Sequence, residues 1–106
     1  MIDEAEVERA VNWLANSASK AAQASANRRY MEEFRKTLKS QLMAERVDTP
    51  LAAQERDAYA DPRYVAHLEA LREAVQADEK YRWLRIAAET KVSVWQSQAR
   101  AARTGV

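Results

Sequence analysis

From Met1 to Thr49 the chain contains neither proline nor glycine. These are the residues that usually interrupt a helix, proline by losing a backbone donor and clashing with the preceding turn, glycine through its conformational freedom. Their absence predicts one long helix. Asp3 stands where an N-cap is wanted, Glu4 and Glu6 fall in the first turn, where the helix dipole favours acid, and Arg46 lies near the end. Val7, Val11, Leu14, Ala18 and Ala21 recur at steps of four and three, as one helical face requires. Met31, Leu38 and Leu42 continue that stripe, with Phe34 beside it. Between the two parts lie Ala15, Ala18, Ala21, Ala22, Ala24 and Ala26. Such small side chains either admit a second helix closely or form the weakest part of the contact.

Pro50, Pro62 and Gly105 punctuate the remainder. Asp48-Thr49-Pro50 reads as a stop and a restart, because proline fits a first helical turn and disfavours helix in the residue before it. A short helix is expected over Leu51 to Tyr59. Asp61-Pro62 repeats the signal, with Asp61 as cap, and nothing breaks the chain from there to about Ala102. Tyr64, Leu68, Leu71 and Val75 make one apolar stripe, and Tyr81, Leu84, Ala88, Val92, Trp95 and Ala99 make another. Asp78-Glu79-Lys80 between them predicts a shift of face or a bend, and Arg103-Thr104-Gly105-Val106 is expected to fray.

The pattern predicts an all-α fold, with residues 1–106 as one domain: a long two-helix antiparallel hairpin with a short connecting helix, coiled-coil-like. Two helices of about forty residues would each run roughly 60 Å at 1.5 Å per residue. Such a hairpin buries a narrow seam and leaves Trp13, Phe34, Trp83 and Val94 on its sides. A small domain with so little core commonly gains stability by association, so assembly into a homo-oligomer is expected.

Chemistry is mostly missing. No cysteine is present, which removes disulfides and thiolate metal sites and makes a cytoplasmic protein the expectation. The longest uncharged stretch, Val11 to Ser19, is too short and polar to span a bilayer, so no membrane partner is expected. Met1-Ile2-Asp3-Glu4 is acidic where a signal peptide is basic. There is no glycine-rich phosphate loop, and the one histidine, His67, precedes a core leucine and reads as a boundary residue. Glu32-Glu33 and Asp78-Glu79 are adjacent acids, which diverge by about 100° on a helix and do not converge on one ion. Glu69 and Glu73 share a face but lack a histidine, and are expected to be solvated or to bridge to Arg72 or another chain. Neither catalytic residues nor a cofactor or metal site is expected, and the chain is expected to be a non-enzyme.

The net charge of +1 conceals blocks: −3 over residues 1–19, +4 over 20–46, −5 over 47–79 and +5 over 80–106. An antiparallel hairpin would set the acidic start against the basic end, which makes internal or subunit pairing one reading. The other is a surface for nucleic acid, with Arg28, Arg29, Arg35, Lys36 and Lys39 along phosphates and aromatic residues stacked on bases. Tyr30 and Phe34 lie in one basic block, and Tyr81, Trp83 and Trp95 in the other.

Ala24 to Lys39 (ASANRRYMEEFRKTLK), Ala60-Asp61-Pro62-Arg63-Tyr64 and His67 to Trp95 carry a resemblance to small phage-encoded helical proteins. More distantly the layout is similar to UvsY-type recombination mediators of phages, which share a helical hairpin, a basic helix and an Ala-Asp-Lys step. That resemblance implies an oligomeric, ring-like protein in the host cytoplasm that binds single-stranded DNA and helps a recombinase displace single-strand-binding protein. It implies DNA contacts at Arg28, Arg29, Arg35, Lys36 and Lys39, with Tyr30 added, and assembly contacts in the last helix at Leu84, Ala88, Val92 and Trp95. This chain is shorter than the mediators and has a more basic C-terminus. The alternative reading is a protein-binding adaptor, or an inhibitor of a host defence or repair enzyme.

Overall fold

The computed structural model describes residues 1–105 and is all-helical across them, with α1 at Glu4–Ala44, α2 at Leu51–Ala60 and α3 at Pro62–Arg103. The helix boundaries are made by local chemistry. An Asp3 carboxylate oxygen accepts the Glu6 N–H at 2.8 Å, capping α1 as its position predicts. At the other end the chain tightens into turns: Glu45 and Arg46 donate to the carbonyls of Leu42 and Met43, which lie three residues back. Arg46 therefore sits just beyond the helix. The Thr49 N–H and hydroxyl both donate to the Arg46 carbonyl, at 3.1 and 2.8 Å, and Pro50, with φ −57° and ψ 149°, starts α2. Asp61 then caps α3 by accepting the Arg63 N–H at 2.8 Å. At the far end α3 persists through Arg103, one residue into the segment expected to fray, and Gly105 follows at φ +75°. Val106 lies outside the described residues.

Inward residues follow alternating steps of three and four along both long helices. On α1 they are Val7, Ala10, Leu14, Ser17, Ala21, Ala24, Arg28, Met31, Leu38 and Leu42; on α3, Tyr64, His67, Leu71, Ala74, Asp78, Tyr81, Ala88, Val92, Trp95 and Ala99. This 3.5-residue average is the spacing of a coiled-coil seam. Arg35 and Arg85 take the omitted steps and are exposed, as long basic side chains usually are. The structure corrects the sequence stripes at alternate positions: Val11, Ala18, Leu68 and Leu84 face outward, and Ala10, Ser17 and His67 take inward places. Steps of four then three and of three then four share every second residue, and with alanine on both faces hydrophobicity does not choose between them. At Asp78-Glu79-Lys80, where a shift of face or a bend is expected, the inward face keeps its phase. Asp78 itself occupies an inward position, and α3 is continuous through it.

The chain packs as two compact units, each drawing on both long helices: residues 24–78 form one, and residues 1–23 with 79–106 the other. In the 24–78 unit α1 and α3 run in opposite directions, since Arg28 meets Asp78 at 3.2 Å while Glu45 meets Arg63 at 2.9 Å. Its core is where all three helices converge: Leu42 (3% exposed), Ala58 (1%) and Tyr64 (7%), with Leu38 and Met43 packed against them. The Tyr59 and Tyr64 rings meet edge to face at 5.3 Å. His67 sets a ring nitrogen 2.8 Å from the Met31 carbonyl and lies 5.5 Å from the Phe34 ring, which fits its sequence reading as a boundary residue. In the other unit Ala10 and Ala88 are buried, and Trp13, Leu14, Val92 and Trp95 are half-buried. Trp13, expected on an open side, is therefore partly covered.

One clamp ties the connection together. The Arg63 guanidinium donates to both Glu45 oxygens at 3.0 and 2.9 Å and to Asp61 at 3.1 and 2.9 Å. The hydrogen bonds from Arg63 hold the Asp61 carboxyl at about 2, below its ordinary 3.8. A depressed carboxylate pKa stabilises the fold above the unfolded value, and that contribution is lost as pH falls through the folded one. Stability is therefore expected to decline from about pH 4 to about pH 2, and Asp61→Asn, which keeps a capping oxygen, is expected to flatten that decline. Urea melts at the two ends of this window measure it; equal slopes for both proteins would assign the acid sensitivity to other groups.

Candidate nucleic-acid interface

The six residues expected to contact DNA divide into distinct environments in the 24–78 unit. Arg28 is half-buried in the seam and pairs with Glu32 at 2.9 Å and Asp78 at 3.2 Å. Arg29 and Arg35 are exposed and form no ion pair among the described residues. Lys36 is exposed beside Glu33 at 3.6 Å. The exposed Tyr30 ring stacks on Phe34 at 5.9 Å and 11°, so one aromatic face is already occupied. Lys39 is held at 2.9 Å by Glu55, with its ammonium 4.6 Å from the Tyr59 ring centre.

These positions follow from helix geometry. Arg29 and Lys36 lie two turns apart on one face of α1, and Arg35 and Lys39 lie one turn apart beside it. The Thr49-Pro50 turn then lays α2 across α1, which brings Tyr59 over Lys39. The result is an open groove of about 590 Å³ lined by Arg35, Lys36, Lys39, Ser40, Met43, Tyr59 and Tyr64. The Tyr59 side chain foremost, and the Glu55 carboxylate next, raise the Lys39 pKa, so this ammonium stays charged throughout the physiological range.

Sequence reasoning did not find Tyr59 and Ser40. No periodic signal marks them, because their place in the groove depends on the direction in which α2 leaves the turn. Tyr64 was legible only as core, which it also is. The groove thus sets three cations, Arg35, Lys36 and Lys39, beside two tyrosines, the residue types that hold phosphates and bases.

The charge blocks separate in the same way. In the 24–78 unit the basic and acidic blocks pair with one another through Arg28–Asp78, Lys39–Glu55, Arg46–Asp57 and Glu45–Arg63. In the other unit, among the described residues, no ion pair joins Asp3, Glu4, Glu6 or Glu8 to the basic C-terminal block. Of the four residues expected to mediate assembly, Ala88 is buried, Val92 and Trp95 are half-buried inward positions of the seam, and Leu84 alone faces out. No helix among the described residues is long and apolar enough to cross a membrane, and no cluster of metal-ligating side chains is found among them. No family model, curated protein or solved structure matches the chain.

Proposed function

We propose that the chain is a non-enzymatic, self-associating helical protein that holds single-stranded DNA in the groove between α1 and α2 and serves as a recombination mediator of phage type, delivering the strand to a recombinase. One observation carries the DNA reading: Arg35, Lys36 and Lys39 border the same groove as Tyr59, with Arg29 aligned on the helix face leading into it. The role as a mediator rests on the resemblance in sequence layout. In this reading Arg28 is a seam residue and not a DNA contact, since Glu32 and Asp78 already engage it.

Fluorescence anisotropy of a labelled oligo-dT, beside a duplex of equal length, tests the proposal at low and physiological salt. Preferential, salt-sensitive binding of the single strand is expected, and absence of binding at low salt would overturn it. A second variant locates the site. Glu55 competes with phosphate for Lys39, so Glu55→Gln is expected to tighten oligo-dT binding several-fold, whereas a strand bound elsewhere would not respond.

The internal pairing of Arg28, Lys39 and Arg46 with acids of the same chain favours a second reading, a protein-binding adaptor or inhibitor of a host defence or repair enzyme. That reading requires a partner protein and predicts no affinity for either DNA form.

A further inference from the structure

The unit formed by residues 1–23 and 79–106 carries two unpartnered outward stripes of opposite charge. On α3, Trp83 (61% exposed), Leu84 (42%) and Val94 (40%) share a face with the exposed Lys80 and Lys91. The Arg82 guanidinium lies 5.3 Å from the Trp83 ring centre and covers one side of it only. On α1, exposed Val11 continues through Ala15, Ala18 and Ala22 and is bordered by the exposed acids Glu4 and Glu8. Neither these two lysines nor these two acids form an ion pair among the described residues.

We propose that the α3 stripe of one copy docks on the α1 stripe of a second copy of this chain. Charge selects this occupant: an apolar strip flanked by lysines meets an apolar strip flanked by glutamates, and both are supplied by the same sequence. The stripes do not satisfy one another within a copy. The α1 stripe follows each inward residue by one position (Glu8, Val11, Ala15, Ala18, Ala22), whereas the α3 stripe precedes each by one (Lys80, Leu84, Ala87, Lys91, Val94), which places them on opposite flanks of an antiparallel seam. The contact joins unlike patches, so it is heterologous and propagates from copy to copy instead of closing as a two-fold dimer. This gives a surface to the self-association in the functional reading and does not depend on DNA binding. It also replaces the inward-facing Ala88, Val92 and Trp95 as assembly contacts.

Sedimentation velocity of the full chain across a concentration series tests the inference. Species larger than a dimer are expected for the wild type. Lys80→Glu/Lys91→Glu and Glu4→Lys/Glu8→Lys should each sediment as monomers, because each sets like charge against like, and mixing the two variants should restore association. Trp83→Gln, an exposed position whose replacement leaves the seam intact, should weaken assembly at least tenfold in concentration. A wild type that remains monomeric overturns both this surface and self-association. A closed dimer, or oligomers indifferent to both charge swaps, overturns this surface alone. The anisotropy measurement above reads DNA binding independently of either result.

Discussion

Arg35→Gln/Lys36→Gln is expected to flatten the salt dependence of oligo-dT binding and to weaken it most at low salt. Each phosphate neutralised on a single strand contributes a slope of about −0.7 in log K against log salt. If Arg29, Arg35, Lys36 and Lys39 each meet a phosphate, the wild-type slope is about −2.8, and affinity falls about 50-fold from about 50 to about 200 mM salt. The double variant, with two contacts left, should have a slope of about −1.4 and lose only about sevenfold over the same range. Both side chains are exposed and neither belongs to the core, so helicity and melting should be almost unchanged. An unaltered slope would remove the groove from the DNA path.

Leu42→Ala is expected to produce the largest loss of stability. Leu42 is the one large aliphatic residue buried in the cluster with Ala58 and Tyr64, where all three helices meet. Large-to-small truncation at such a site costs about 2–5 kcal/mol, from lost transfer energy and the cavity left behind. For a domain of this size that corresponds to a fall in Tm on the order of 15 °C. Leu84→Ala is the matching control: an outward leucine on α3, expected to cost under about 0.5 kcal/mol in dilute solution. Thermal melts by circular dichroism compare the two, and equal losses would mean that the core is not concentrated around Leu42.

The helices were legible because their boundaries are local. Asp3, Thr49-Pro50 and Asp61-Pro62 carry capping and proline chemistry that acts within a few residues, and α2 and α3 begin where those signals place them. The facing residues were legible only in part. Val7, Leu14 and Ala21 belong to both possible stripes, while choosing Ala10 over Val11 requires knowing what the helix packs against. In the sequence, Asp78 suggests a shift of face or a bend, because its partner, Arg28, is fifty residues away. The candidate groove divides along the same line. Its α1 cations were visible as a charge block, but Tyr59 and the Glu55 partner of Lys39 come from a helix whose direction no periodicity encodes.

The Arg28–Asp78 pair bears on how α1 and α3 find their alignment. Most of the inward residues are apolar and evenly spaced, so a slide of one helix by a heptad again sets apolar residues against each other, and burial alone discriminates weakly between alignments. Sliding one way would set Arg28 opposite Arg85, and sliding the other way would set it opposite Leu71; in either case it keeps Glu32 of its own helix but exchanges Asp78 for a like charge or an apolar neighbour. The pair is therefore expected to act as a detent, raising the misaligned neighbours more than it deepens the native state, as a polar residue at a coiled-coil core position does.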